Sequence, residues 1–214
     1  MTHIKVVDNI KLHHSKGLIS KDSSGKWVPT HYQQGKLDGA CAVYSLIMNL
    51  LILGEISQED INIHNPIDKR TRKGKFLSHF LEDQGLIRNG YFFKSLAKEI
   101  RDYSNISATQ KLPKSNVDAI NIIQECIDAD LPIIISISSS EYCHAILVIG
   151  IEYDNNNIPK KILCLDPDDN APICAQWNSF LDISNSTYWH KSINNKAQKI
   201  EIGDMIIISP KEKE

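Results

Sequence analysis

The chain has 214 residues, of which 42% are hydrophobic and 23% charged, a composition typical of a globular protein that buries a core. A net charge of −2 provides no basic field for nucleic acid or an anionic membrane surface, so neither is an expected partner. No segment reaches the ~20 consecutive apolar residues of a membrane span, and the N-terminus lacks the apolar core of a signal peptide. We expect a protein that is cytoplasmic as synthesised, whose secretion would need a specialised route without a cleavable signal peptide.

The first half of the sequence has mainly helical patterns. Residues 1–37 are polar, with one short strand-like run at 4–7. Apolar residues on most faces of 39–53 predict a central buried helix that Gly54 ends, and Ser57 begins a new helix with an acidic first turn. Apolar faces within 76–81, 92–100 and 117–127 predict three further helices, the last capped by Ser115 or Asn116.

The second half has strand patterns. Apolar and β-branched runs predict strands at 131–137, 145–153, 161–165 and 200–208, with a hairpin turn at 154–157. Residues 188–190 could line the cleft, but a role in the core is favoured. Helices first and strands second predict an α+β fold with a mainly antiparallel sheet. We predict a single catalytic domain over 1–214, with a helical half at about 38–128, a sheet half at about 130–210 and a cleft between them.

The cysteines and histidines give no sign of a disulfide framework or a metal site. The chain has 5 cysteines, an odd number, and no two form a CxxC pair. Cys126 in a helical pattern and Cys164 in a strand pattern are predicted to be inert buried thiols. His13, His14 and His31 have no partners at ligand spacing and are predicted to lie at the surface. We expect neither a metal nor a cofactor.

Cys41 has a different setting, because it lies where a glycine-containing loop enters the long apolar helix. A helix N-terminus presents N–H groups and about half a positive charge, which favour a thiolate over a thiol. The thiolate is the nucleophilic form of cysteine. A buried helical cysteine without chemistry is the alternative for this residue taken alone.

Two later residues complete a pattern that favours catalysis. His144 stands at the start of the second strand, where a neutral imidazole could take the thiol proton. Strand alternation predicts that Cys143 faces away from it. Asp166 ends the next strand and could orient His144 through the other ring nitrogen, although Asp168 and Asp169 compete for this role.

The motifs around these residues resemble the papain-like cysteine peptidase superfamily. The segment Gly-Ala-Cys-Ala-Val-Tyr-Ser at 39–45 resembles the G-[SA]-C-x-x-[FY]-S element around the papain nucleophile. The run His-Ala-Ile-Leu-Val-Ile-Gly at 144–150 resembles the strand around the papain-family histidine. Leu-Asp-Pro at 165–167 is nearer to the bacterial leader-peptide peptidases of bacteriocin exporters, which use Asp where papain uses Asn.

The resemblance implies a papain-like fold, with Cys41 on the helical half and His144 and Asp166 on the sheet half. It also implies that Gln34 donates to the oxyanion. Papains place a Gln-Gly pair six residues before the cysteine, whereas Gln34 stands seven before Cys41, so Gln33 stays an alternative. Two other departures are Ala42, where papains carry Trp, and the absence of an Asn-Ser-Trp motif.

The implied activity is that of a thiol hydrolase, by default a peptidase that acts on a protein or peptide through a thioester. The same triad could instead deamidate glutamine or transfer an acyl group, as a bacterial effector or toxin would, and the abundance of Ile, Asn and Lys is typical of bacterial proteins. A catalytically silent papain-like binding module is the alternative from another class. Retention of the cysteine, histidine, acid and glutamine together argues against it.

Overall fold

The computed structural model describes residues 2–36, 38–62, 64–83, 90–102, 106–140, 142–193 and 197–210. The helices are α1 (Cys41–Ile52), α2 (Arg72–Ser78), α3 (Phe93–Arg101) and α4 (Asn116–Asp128). The strands are β1 (His3–Val6), β2 (Ile10–His13), β3 (Gly17–Lys21), β4 (Trp27–Pro29), β5 (Ile106–Lys111), β6 (Ile133–Ser138), β7 (Cys143–Tyr153), β8 (Pro159–Leu165), β9 (Ser179–Asp182), β10 (Tyr188–Ser192) and β11 (Gln198–Pro210). Across these ranges, no helix is long and apolar enough to cross a membrane.

The strands form one large and one small antiparallel sheet. The large sheet has eight strands in the order β1-β7-β6-β11-β10-β9-β8, with β5 paired to β11 and a further pairing between β7 and β8. Strands β2, β3 and β4 form the small sheet. The predicted antiparallel sheet and the predicted hairpin between β7 and β8 are therefore confirmed.

Helix α1 lies against the large sheet, in contact with β6 and β7. Nearly every residue after Cys41 is buried, as the all-round apolar pattern predicted. Two buried polar side chains tie it to the sheet: Ser45 Oγ donates to the Ala145 carbonyl (3.3 Å) and Asn49 Nδ2 to the Pro132 carbonyl (2.8 Å). Gly54, at φ +68°, permits the turn that ends the helix. The hydrogen bonds of Ser45 and Asn49 fix the position of α1 relative to the large sheet.

The predicted strand-like run at 4–7 corresponds to β1, but several other strands lie where none was expected. The polar stretch 1–37 also contains β2, β3 and β4, and β5 lies inside the predicted helical half. Strands β9 and β10 also lie outside the predicted runs. Strand β5 pairs with β11, which is distant in sequence, and the other unexpected strands are only three to five residues long, so a local apolar pattern carries little signal.

Two helix faces also differ from their sequence patterns. Phe92 was expected on the inner face of α3, but it precedes the helix and is 84% exposed. Val117 was assigned to the inner face of α4 and is 67% exposed.

The Ser115 cap is confirmed, since its side chain accepts from the Asp118 N–H. Ser57 begins a 3₁₀ turn over Gln58–Ile61 instead of a full helix.

Candidate active site

The loop before Cys41 is shaped by one aspartate. The Asp38 carboxylate accepts from the N–H groups of Gly35 (2.7 Å) and Ala40 (3.2 Å) and from the Tyr44 hydroxyl (3.3 Å). Ala40 occupies the N-cap of α1 without a side-chain hydrogen bond, and the first turn holds no acidic residue. The positive end of the helix is thus left to act on the thiol of Cys41, its first residue.

His144 and Asp166 come together because β7 and β8 pair as neighbours. His144 is the second residue of β7, and Asp166 directly follows β8. The imidazole Nε2 lies 2.6 Å from Asp166 Oδ1, and both side chains are almost fully buried. The next residue of β7 contacts Cys41, since the Ala145 N–H donates to Cys41 Sγ at 3.3 Å. The structure therefore brings Cys41, His144 and Asp166 into one connected group.

Each of these three side chains shifts the pKa of its neighbour toward the charged form. Burial raises the pKa of the Cys41 thiol, but the hydrogen bond and charge of His144 outweigh it and leave that pKa below its ordinary value. Burial likewise lowers the pKa of His144, yet its bonds to Asp166 and Cys41 raise that pKa to about 10. Burial opposes ionisation of Asp166, but His144 and His190 hold its pKa well below the usual range. The arrangement favours a thiolate beside an imidazolium.

The backbone of Asp166 is held by two residues that the sequence interpretation missed. Asn178 accepts from the Asp166 N–H through Oδ1 (2.7 Å) and donates to the Asp166 carbonyl through Nδ2 (2.8 Å). His31, assigned above to the surface, is partly buried, and its Nε2 donates to the same carbonyl (2.9 Å). His31 lies 135 residues before Asp166, and Asn178 lies 12 residues after it, so no local pattern around Asp166 signals either partner.

A second histidine faces the other carboxylate oxygen of Asp166. His190 Nε2 on β10 lies 3.2 Å from Oδ2, at ion-pair distance but out of line for a hydrogen bond. The Tyr142 hydroxyl lies 3.4 Å from His190 Nδ1. With Nδ1 accepting from Tyr142, a neutral His190 carries its proton on Nε2, the nitrogen that faces Asp166. The sequence interpretation assigned this region to the core; His190 is buried as expected, but it lies beside the acid.

The two competing aspartates bond elsewhere. Asp168 is exposed and accepts from the side-chain amide of Gln34 at 3.2 Å, while its own N–H donates to Asp166 Oδ1 at 2.8 Å. Asp169 is buried and accepts from the N–H groups of Asn170 (2.7 Å) and Ile193 (3.0 Å). Of the three acids, Asp166 is the one hydrogen-bonded to His144.

Gln34, the expected oxyanion donor, lies at the acid turn. Its N–H donates to the Pro167 carbonyl (2.8 Å), and its side-chain amide is engaged by Asp168. It does not line the cavity at Cys41, and Gln33 is exposed. The choice between the two glutamines stays a prediction.

A cavity of about 370 Å³ opens beside the thiol. Its lining comprises Cys41, Ala42, Gly90, Tyr91, Phe92, Phe93, Ser136, Cys143, His144, Ala145 and Asp204. Cys143 was expected to face away from His144, but it is exposed at the start of β7 and lines the same cavity. Cys143 pairs with Ser138 and His144 with Ile137 without a bulge, so strand alternation is kept while both residues border the cavity. No group of three or more metal-binding side chains converges in the part of the chain that the structure describes.

Comparison with known proteins supports the fold through structure alone. No family model and no curated protein matches the sequence. The crystal structure of UfSP from C. elegans, a cysteine protease of the papain-like fold, superposes with a TM-score of 0.50 at 12% identity. The alignment covers 98% of this chain but 34% of UfSP, so the chain spans about a third of that protein's length. The chain therefore shares its mixed α/β architecture.

Proposed function

We propose that this chain is a papain-like cysteine hydrolase that cleaves peptide bonds, with Cys41 as nucleophile, His144 as base and Asp166 as the orienting acid. The observation that carries the proposal is the connected group itself: a thiol at a helix start, held by the Ala145 N–H, beside a histidine bonded to a buried carboxylate. The likeness to UfSP, a cysteine protease, supports the same class of activity. We also propose that the chain is related to the leader-peptide peptidases, on the basis of the Asp-Pro motif at 166–167.

In the acylation step, Cys41 Sγ attacks the substrate carbonyl carbon and forms a C–S bond. The carbonyl π electrons move onto oxygen to give a tetrahedral oxyanion. Collapse of this intermediate breaks the C–N bond, and the His144 imidazolium gives its proton to the departing amine. The product is a thioester on Cys41 with neutral His144.

In the deacylation step, neutral His144 takes a proton from water while the water oxygen attacks the thioester carbonyl. Collapse of the second tetrahedral intermediate breaks the C–S bond, releases the acid and restores the thiolate beside the imidazolium. Asp166 stays ionised throughout and stabilises the imidazolium, which its depressed pKa permits.

Backbone groups at the start of α1 are the proposed oxyanion donors. The first intrahelical bonds are donated by Val43 and Tyr44 to the Ala40 carbonyl, so the N–H groups of Cys41 and Ala42 point out of the helix end. The Ala42 N–H helps to lower the pKa of the Cys41 thiol, and the Cys41 N–H is the proposed backbone donor to the oxyanion. Gln34 is kept as the proposed second donor. A loss of turnover in Gln34→Ala but not in Gln33→Ala would support that choice.

Selective alkylation is the direct test of the nucleophile. At neutral pH, an iodoacetamide reagent should label Cys41 faster than the other thiols, because its pKa is lowered whereas burial raises the pKa values of Cys126 and Cys164. Cys174, an exposed thiol, is the internal reference for accessibility. Labelling of Cys41 no faster than Cys174 would remove the support for an activated nucleophile and favour a silent binding module.

The reaction type is tested by mass spectrometry of candidate protein substrates incubated with wild type or Cys41→Ala. We expect new chain termini with wild type alone. A gain of about one mass unit would indicate glutamine deamidation, and a cross-linked product would indicate acyl transfer to an amine. Either result would keep the nucleophile and overturn the assignment as a peptidase.

A further inference from the structure

Strand β11 contains an irregularity directly beside the cavity at Cys41. Ile202 pairs with Ile137 of β6, and Met205 pairs with Ile135. On β6 one residue, Ser136, lies between these two pairs, whereas on β11 two residues do, Gly203 and Asp204. Two residues against one is a β-bulge, which bends a strand and redirects a side chain. Bulges of this kind are over-represented next to active sites.

A glycine stands in the bulge. A Cβ at position 203 would lie 2.6 Å from Ser136 Oγ, so a larger residue would require the Ser136 side chain to move. Gly203 leaves room for that side chain while the extra residue is accommodated. The side chain that the bulge redirects is that of Asp204, which lines the cavity together with Cys41 and His144.

Asp204 is partly buried and lines the cavity together with three aromatic residues. These are Tyr91, Phe92 and Phe93, which we call the aromatic wall, and Phe92 is 84% exposed. Among the described residues, no lysine, arginine or histidine forms an ion pair with Asp204. A carboxylate drawn from water gains most from a cationic partner that donates hydrogen bonds to it.

We propose that Asp204 is a specificity-determining residue, which selects substrates with a lysine or arginine side chain beside the bond that Cys41 attacks. The cationic head pairs with Asp204, and the aliphatic stem lies against the aromatic wall, where the rings also attract the charge. This inference rests on the proposed function, because it assigns the specificity of the same site.

The test uses peptidyl acyloxymethyl ketones, which trap a cysteine nucleophile without the natural substrate. The Cys41 thiolate displaces the acyloxy group, so a C–S bond forms, a C–O bond breaks and a carboxylate leaves. Three reagents differ in one side chain next to the ketone: lysine, arginine or norleucine. The measurement is the second-order rate constant for modification of Cys41, followed by mass spectrometry.

In wild type, we expect the lysine or arginine reagent to react about five- to tenfold faster than the norleucine reagent, as for a charge-assisted contact in a partly exposed cavity. In Asp204→Asn, the ratio of cationic to neutral rates should fall to about one, because a neutral amide cannot form the ion pair. The matched control is Glu201→Gln, which removes the same charge from an exposed position on the same strand and should keep the ratio.

Three results would overturn the inference while leaving the proposed function intact. They are equal rates for cationic and neutral reagents in wild type, a ratio that survives Asp204→Asn, and Cys41 labelled by iodoacetamide but by none of the three ketones. Failure of iodoacetamide to label Cys41 selectively would instead overturn the proposed function. If Glu201→Gln lowered the ratio of cationic to neutral rates as much as Asp204→Asn does, the preference would come from the overall negative charge of this surface. That result would also contradict a direct contact with Asp204.

Discussion

The two ends of the proposed triad are built in contrasting ways. At the nucleophile, Cys41 lies at an uncapped helix start with one face open to a cavity, and the Ala145 N–H donates to its sulfur. At the acid, Asp166 is 1% exposed, and its N–H, its carbonyl and both carboxylate oxygens each lie against a partner. One end is left open and the other is fixed.

This difference matches what each end must do. A nucleophile must be reached by a carbonyl group, so surrounding it with side chains would block its chemistry. An orienting carboxylate must hold a histidine in one position and stay ionised while buried, which requires donors around it. We therefore expect substitutions at the acid end to act through geometry and charge, and substitutions at the thiol end to act through reactivity.

The largest expected effect separates two aspartates of the acid turn. Asp166→Asn replaces one carboxylate oxygen by an NH₂ group. At the Oδ1 position this group would meet the Asp168 N–H, and at the Oδ2 position it would face His190 Nε2. The charge that stabilises the His144 imidazolium is also lost. Turnover of a substrate identified by mass spectrometry should fall by about 10²- to 10⁴-fold with the fold retained.

Asp168→Asn is the matched control, because it makes the same change two residues away. The exposed Asp168 carboxylate contacts the Gln34 amide at 3.2 Å, so we expect less than about a threefold change. Circular dichroism and thermal unfolding check that both variants fold. Equal losses from the two variants would mean that Asp166 has no special role in orienting His144.

The next effect concerns activation at the open end. In wild type, the alkylation rate of Cys41 should rise with pH through a midpoint below the ~8.5 of a free cysteine, because His144 lowers the pKa of the thiol. His144→Ala removes the hydrogen bond and the charge but leaves burial and the helix end, so the midpoint should move to ~8.5 or higher. At pH 7 the variant should therefore be alkylated at Cys41 more slowly than the wild type.

The alkylation profile of Cys174 serves as the control in the same experiment, since it is an exposed thiol that should not respond to His144. An unchanged Cys41 profile in His144→Ala would show that thiol and imidazole are uncoupled. The order of Cys, His and Asp in the sequence would then be a coincidence, and the binding-module alternative would be favoured.

The same contrast explains which residues could be predicted from the sequence. Cys41 and His144 stand at the starts of strongly patterned elements, and the β7–β8 hairpin brings Asp166 beside His144 through local connectivity. These placements follow from signals contained within short segments. The antiparallel sheet and the long buried helix could be predicted for the same reason.

The supports of the acid could not be predicted in this way. His31 precedes Asp166 by 135 residues, Asn178 follows a loop, and His190 lies on a short strand whose pairing with β9 and β11 was missed. Their relation to Asp166 exists only once the large sheet is assembled. One local signal could have found His190: the alternation along Tyr188, Trp189 and His190 is typical of a strand with Tyr188 and His190 on one face.

A smaller effect tests whether the other oxygen of Asp166 also needs its partner. His190→Ala removes the imidazole that faces Oδ2 at 3.2 Å and leaves this buried oxygen without it, which allows the carboxylate to shift away from His144. We expect kcat to fall by about five- to tenfold with KM little changed, because a positioning residue does not contact substrate. His190→Gln, whose amide can reach a similar point, should restore part of the loss. A change confined to KM, or an equal loss in both variants, would contradict a positioning role.

The smallest effect is a pH dependence of stability that joins the two ends. In the unfolded chain, His144 loses its proton near pH 6.5 and Cys41 near 8.5, so between these values the two groups together hold one proton. The folded thiolate–imidazolium pair also holds one, because the pKa of His144 is raised to about 10 and that of Cys41 is lowered. With no difference in bound protons, the pair makes no pH-dependent contribution to the free energy of unfolding in this window.

Cys41→Ala breaks that balance. The folded variant keeps the His144 proton through Asp166, while its unfolded chain loses that proton above pH 6.5. Because the raised pKa of a histidine stabilises the fold below its unfolded pKa and that benefit is lost as pH rises, the variant should lose stability relative to wild type between pH 6.5 and 8.5. The difference should grow by at most about 1.4 kcal/mol per pH unit. Urea unfolding of both proteins across this range measures it, with Cys174→Ala as the control for removal of a thiol. A difference that stays constant or shrinks would mean that the folded pair does not share its proton as proposed.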